Sequence, residues 1–311
     1  MNRRTRTCGL LVVLFLAIEG TFVAPRARAR AGLLIVAHGA PSESWCKPVV
    51  ELAGKVEDVL ESNGPSPFPK VTVGFLEFAH PTVAEAIREL ENDGADTVFV
   101  LPVFVAPSAH TICDLPNVLG IAADPHVLRQ LRREGAQVAH PRARVLVGPT
   151  LAYGSFLDRA LTRQAQFLST KPDSEAVVIL AHGDPEFEPI WRQLGRRIGA
   201  SICGHTGISW FDVAFIEAGQ TFLQNGLPAI ERAAENRSRV LVLNLFVNLT
   251  ARKLAKRYSS QLHERGLEDG APTVRYSDQP LVLDPDLPRW IATVAREMWA
   301  ATHRTRRAAK E

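Results

Sequence analysis

The feature that most constrains this 311-residue chain is an internal duplication. "LLIVAHGAPSESW" (33–45) is matched by "VVILAHGDPEFEPIW" (177–191), which sets His38 against His182. "VGFLEFAHPTVAEAIREL" (73–90) is matched by "VAFIEAGQTFLQNGLPAIERA" (213–233), which sets Glu77 against Glu217. "TVFVLPVFV" (97–105) is matched by "RVLVLNLFV" (239–247), and more weakly 145–161 by 274–294. The first three offsets are 144, 140 and 142 residues. Three segments in one order at nearly one spacing are hard to obtain by chance, and self-similarity of such long period describes architecture.

Each copy has the same rhythm. Short apolar runs at 33–37, 71–76, 97–105 and 144–148, then 176–180, 211–216, 239–247 and 273–276, alternate with longer amphipathic stretches. In "PTVAEAIRELENDGA" Val83, Ala86, Ile87 and Leu90 share one helical face, and Gly94 stands where a helix C-terminus ends. Continuous apolar strands between helices predict parallel sheets covered on both faces. The expected fold is α/β: two tandem doubly wound, flavodoxin-like halves with four strands each, at 32–170 and 171–303. "STKPDSE" links them.

The apolar fraction of 46% and charged fraction of 22% fit an ordinary globular protein. The net charge of +3 is local: the first 31 residues hold six arginines and one acid, and the remainder holds 30 basic and 32 acidic residues. No basic field points to nucleic acid. Four scattered cysteines without a CxxC argue against a disulfide framework, a zinc knuckle and an iron–sulfur cluster. The N-terminus combines a basic start, an apolar run at 9–18 and an A-x-A-like site at 29–31. That pattern predicts a secretory leader over 1–31 and an exported, periplasmic protein with no stable membrane span after cleavage. The other reading is a mis-called start, with folded sequence from Gly32 and a cytoplasmic protein. A basic tail is expected at 304–311.

Ligands of open parallel sheets bind beyond the carboxyl ends of the strands. His38 follows the first apolar run, Glu77 ends the second, and His110 lies just past the third. A single histidine at a strand end is ordinarily a cap or a solvated group. Three strands delivering His, Glu and His to one edge is metal-ligand chemistry, suited to Co, Fe, Ni or Zn with positions left open for substrate. In the second half His182 and Glu217 hold the equivalent places, but the third is Arg252, which is not a metal ligand. The second site is therefore expected to be a remnant. Arg252 and Lys253 are candidates to hold an anionic substrate, while Lys256 and Arg257 read as a solvated helix face.

"LLIVAHG", "FLEFAHPTVAEAI", "LPVFV" and "AHTICDLP" together resemble the sirohydrochlorin chelatases, the ATP-independent class II cobalto- and ferrochelatases, in a long duplicated form covering about 32–299. Two departures are local: Ala40 stands where the family usually has serine after His-Gly, and "APSAH" lacks the usual glycines. The cysteine- and histidine-rich tail of one long form is not matched. The resemblance implies a chelatase-like pair of halves, with the macrocycle in the cleft between them. It implies His38, Glu77 and His110 on the metal, and Asp114 with Pro116 as a helix start. It implies insertion of Co2+, with Fe2+ next and Ni2+ possible, into sirohydrochlorin or a related anionic tetrapyrrole. That step serves cobalamin or siroheme biosynthesis, without ATP or an iron–sulfur cluster. The duplication suggests a monomeric pseudo-dimer or a small homo-oligomer. The leader points to a rival, an exported non-catalytic carrier of metal or tetrapyrrole.

Overall fold

The computed structural model describes residues 30–308. The leader reading falls on the residues before these and lies outside the described residues. The first half runs β1 (Ala31–Ala37), α1 (Glu43–Ser62), β2 (Lys70–Phe75), α2 (Val83–Asn92), β3 (Thr97–Pro102), α3 (Leu115–Val118), α4 (Pro125–Arg133), β4 (Arg144–Val147) and α5 (Phe156–Leu168). The second runs β5 (Glu175–Ala181), α6 (Glu188–Thr206), β6 (Phe211–Phe215), α7 (Leu227–Asn236), β7 (Arg239–Leu245), α8 (Ala251–Arg257), α9 (Ser259–His263), β8 (Val274–Tyr276) and α10 (Leu287–Ala308).

Both sheets are wholly parallel and have the same order, β2-β1-β3-β4 and β6-β5-β7-β8. Every residue of β1 and β5 is buried, as strands covered on both faces require. α2 begins where Thr82 and Glu85 form a reciprocal capping box, and its apolar stripe of Val83, Ala86, Ile87 and Leu90 is buried. Val36 pairs with Gly74 on one side and Pro102 on the other. The carboxyl ends of β1, β2 and β3 therefore reach one edge together, at the point where strand order reverses.

Alternate strand residues face different layers. Leu34 and Val36 meet α2, α3 and α4 in an outer core, whereas Leu33 and Ile35 join a core shared with Val177 and Ile179 of the other sheet. α1, α5, α6 and α10 fill the space between the sheets. The last helix of each half crosses over: α5 packs on β7 and α10 on β3. Gln164 of α5 exchanges hydrogen bonds with the backbone of Asn244 at 3.3 and 3.4 Å, and Arg296 of α10 donates to the carbonyl of Leu60 at 2.7 Å. The halves are thus not free-standing repeats.

Three details differ from the sequence reading. β3 stops at Pro102 rather than 105: it leaves the ladder with β4 after Val100, and its ladder with β1 ends at the Val36–Pro102 pair, near the end of β1 itself. Glu77 lies two residues beyond β2 rather than at its end. α10 runs to Ala308, into the segment read as a basic tail. No helix of the described residues is long and apolar enough to cross a membrane.

Candidate metal centre

The first edge gathers its side chains by backbone geometry. His38 follows β1, and its carbonyl accepts the N–H of Glu77 at 2.8 Å, so the carboxylate is pinned beside the imidazole. Gly39 makes that approach possible: its φ is +96°, and a Cβ there would sit 1.9 Å from the carbonyl oxygen of Glu77. His110 opens a wide helical turn, His110–Asp114, that runs into α3. One potential ligand atom each from His38, Glu77 and His110 lies within 4.8 Å of the others. The His38 and His110 rings stand edge to face, 4.6 Å apart.

The carboxylate is deeply buried and poorly satisfied. Glu77 is 4% exposed, and its Oε1 has no hydrogen-bond partner among the described residues. Its oxygens lie 3.7 Å from His38 Nε2 and 3.8 Å from His110 Nδ1. Burial, followed by the negative charge of Glu134, pushes the carboxyl up to about 7. A buried unpartnered carboxylate oxygen costs free energy that an ion recovers.

The two imidazoles are held differently. His38 Nδ1 is bonded to the carbonyl of Gly39 at 2.9 Å, which leaves Nε2 facing Glu77. Burial lowers the pKa of His38 below the ordinary imidazole value, with the charges of His110 and His182 acting the same way. His110 Nδ1 is bonded to Asp114 Oδ2 at 2.8 Å. Burial alone would lower His110, but the hydrogen bond and charge of Asp114, with Glu77, outweigh it and raise its pKa. Asp114 stands directly before α3, with Pro116 in the first turn, as the resemblance implied, but it makes no side-chain cap bond: the preceding turn is already helical and its carboxylate is bonded to His110 instead. The spacing of four residues between them, one helical turn, was the signal available in the sequence.

The second half copies the backbone but not the cluster. Glu217 N–H donates to the His182 carbonyl at 2.8 Å, and His182 Nδ1 is bonded to the Gly183 carbonyl at 2.7 Å. The left-handed residue, however, is Glu217 itself (φ 51°), whereas in the first half it is Phe78 (φ 59°), after the carboxylate. Among the described residues His182 and Glu217 belong to no three-ligand cluster. Arg252 lies in the first turn of α8 and pairs with Asp269 at 3.2 Å and Asp278 at 3.4 Å. Its charge is thereby neutralised locally, away from the cleft.

A cavity of about 330 Å³ opens between the halves. His38, His110, Trp45 and Phe104 line it from one side, His182 and Trp191 from the other. Its walls are largely apolar with a few polar groups, the usual make-up of a small-molecule site. A second pocket of about 440 Å³ lies beside His182 and Glu217 in the second half. Its two arginines are already paired, Arg192 with Glu188 and Arg232 with Asp212.

Known proteins place these observations. A family model described as CbiX matches residues 32–166. The sirohydrochlorin cobaltochelatase of Saccharolobus solfataricus is 35% identical over 103 residues, 33% of this chain and 74% of that protein. That of Methanocaldococcus jannaschii is 35% identical over 94 residues, 30% of this chain and 62% of its own length. The match to the Methanopyrus kandleri enzyme spans 58% of that protein. Among solved structures, SirB from Bacillus subtilis with Fe3+ superposes with a TM-score of 0.62 at 13% identity, covering 88% of this chain and 97% of that one. CbiX, described as the terminal enzyme of siroheme biosynthesis in denitrifying bacteria, gives 0.54 at 20% identity, covering 86% and 98%. At such identities the structures establish a shared two-half fold.

Proposed function

We propose, on the premise that this chain belongs to the CbiX family of sirohydrochlorin chelatases, that it inserts a divalent metal into sirohydrochlorin without ATP. Co2+ is the favoured substrate ion and Fe2+ the next. The observation that carries the proposal is the convergence of His38, Glu77 and His110 around a buried carboxylate oxygen that lacks a partner.

Metallation must strip water from the ion, remove two pyrrole N–H protons and seat the metal from one face of the ring. Two imidazoles and a carboxylate suit a borderline divalent cation, and that ion is the substrate. Glu77 offsets its charge as water is lost. The cluster lies on the wall of the cleft, so an ion held there faces a macrocycle bound between the halves, which is catalysis by positioning. His38, with its lowered pKa, is neutral at physiological pH and is suited to take up a released proton. The remnant second half supplies the opposite wall.

The test is the change in tetrapyrrole absorbance when Co2+ and sirohydrochlorin are mixed with the purified full chain. The rate is expected to exceed the no-enzyme rate and to be abolished in His110→Ala with the fold intact. Binding of metal and ring without any acceleration would instead identify a carrier.

A further inference from the structure

We infer that Asp184, a residue of the second half, is a positioning residue for His110. The inference rests on the metal-centre reading above and goes beyond it, because it gives the second half a stated task.

The loop that delivers His110 is gripped from across the cleft. The N–H of Ala109, the residue before His110, donates to Asp184 Oδ2 at 3.0 Å. Two residues earlier the carbonyl of Pro107 accepts the indole N–H of Trp191 at 2.9 Å. Between them Ser108 is buried, and its N–H is bonded to Thr111 Oγ1 at 2.9 Å. The segment 107–109 is therefore fixed at one end by a second-half acceptor and at the other by a second-half donor. Asp184 is itself held, since its Oδ1 accepts the N–H of Glu186 at 2.9 Å. A carboxylate braced in this way transmits a fixed position to the amide it holds.

The duplication sharpens the argument. Asp184 is the second residue after His182, as Ala40 is the second after His38. Alanine offers no acceptor, so the first half cannot return the contact. The copy that has arginine in place of the third ligand is also the copy whose aspartate holds the amide just before the other copy's third ligand. The last bond of the loop to β1 is Val103 N–H to the carbonyl of Val36 at 2.7 Å, and the Phe104 carbonyl still accepts from Leu151 N–H at 2.9 Å, so the stretch that follows leans on contacts from across the cleft. An external tether is what such a segment needs to hold one imidazole within ligand distance of Glu77.

The experiment titrates the full chain with Co2+ alone, reading the ligand-field absorption band, in wild type, Asp184→Ala, Asp184→Asn, His110→Ala and His110→Ala/Asp184→Ala. Asp184→Ala is expected to weaken Co2+ about tenfold, the usual scale for loss of a group that orients a metal-binding histidine. Asp184→Asn keeps one acceptor oxygen where the carboxylate uses two, for Ala109 and Glu186, and is expected to fall between wild type and Asp184→Ala. The double variant is expected to bind no more weakly than His110→Ala, because the contact acts only through that histidine. Trp191→Phe removes the donor to Pro107 and is expected to weaken Co2+ by about threefold, so the tether is read even where Asp184→Ala folds poorly. Wild-type affinity in both Asp184→Ala and Trp191→Phe, or a loss in the double variant that adds to that of His110→Ala, overturns the inference and leaves the metal centre standing. No Co2+ band in wild type overturns both.

Discussion

Asp114 holds His110 from one helical turn along the chain, with 2.8 Å between Oδ2 and Nδ1. A carboxylate behind an imidazole fixes which nitrogen carries the proton and strengthens the other as a donor. It also raises the pKa of His110, so the proton that an incoming ion displaces is held more tightly. Asp114→Ala is therefore expected to weaken Co2+ by about 10- to 100-fold at pH 8. Its binding curve should also begin at lower pH, because His110 loses its proton earlier. Co2+ titrations from pH 5.5 to 8.5 check both effects, and an unchanged pH profile would detach Asp114 from His110.

Glu77 makes the stability of the fold depend on pH. Its carboxyl is raised to about 7, mainly by burial, so the folded metal-free protein favours the protonated form. A raised folded pKa gives stability that is fully present below the unfolded value, near 4.5, and is lost as pH rises through about 7. The full shift corresponds to at most about 3 kcal/mol. Glu77→Gln removes the titration and keeps the shape. At pH 8 with chelator present it is expected to melt above wild type, and at pH 5 the two should converge. It should bind Co2+ far more weakly at either pH. Identical melting at pH 8 would mean that Glu77 carries no buried charge.

The architecture was written plainly in the sequence, because fully buried parallel strands need unbroken apolar runs and the duplication supplied the count. β1, β2 and β5 lie where the runs do. The three ligand candidates were legible for the same reason: strand ends share an edge, so topology alone brings 38, 77 and 110 together. What was not legible depends on contacts between halves. The exchange of α5 and α10 leaves no periodic mark, since an apolar helix face reads the same whichever sheet it covers. Asp184 and Asn248, whose amide donates to the carbonyl of Trp45 at 2.6 Å, look like ordinary loop residues until the cleft is closed. Arg252 stands in chain order where the third ligand would fall, but it is drawn off by Asp269 and Asp278, a pairing that lies outside its own segment.

The two histidines after β1 and β5 have matching backbones and unequal surroundings. His38 faces a buried carboxylate, and His182 lines the cleft without a cluster. His38→Ala is expected to abolish both Co2+ binding and metallation. His182→Ala should keep Co2+ affinity within about threefold and alter chiefly the turnover with sirohydrochlorin, as a change on the ring-facing wall would. Equal loss of Co2+ binding in the two variants would make the second half a working metal site.

Glycines give a backbone test. Gly39→Ala forces a left-handed backbone onto a Cβ that overlaps the Glu77 carbonyl, and it is expected to cost at least ~2 kcal/mol and to break the His38–Glu77 register. Gly54, within α1, has no heavy atom within 4 Å of an added Cβ, so Gly54→Ala is expected to stabilise by about 0.5–1 kcal/mol. Thermal melts of the pair should therefore move in opposite directions.

The crossed helices determine how the chain can be divided. Ile291, Val294 and Ala295 of α10 are buried in the core shared with Leu33 and Leu101 of the first sheet. Met298 reaches to within 2.6 Å of where a Cβ on Gly148 would lie. A fragment of residues 32–170 lacks this cover and presents its inner sheet face to water, while keeping an α5 whose apolar side belongs on β7. Exposed apolar patches of that kind drive association. The fragment is expected to aggregate or to dimerise through its α5 helices when expressed alone, and to become soluble and bind Co2+ when 171–308 is co-expressed. Size-exclusion chromatography with Co2+ titration checks this. A soluble monomeric fragment with wild-type affinity would show that the first half carries both its own core and its own His110 geometry, and would count against the cross-cleft tether as well.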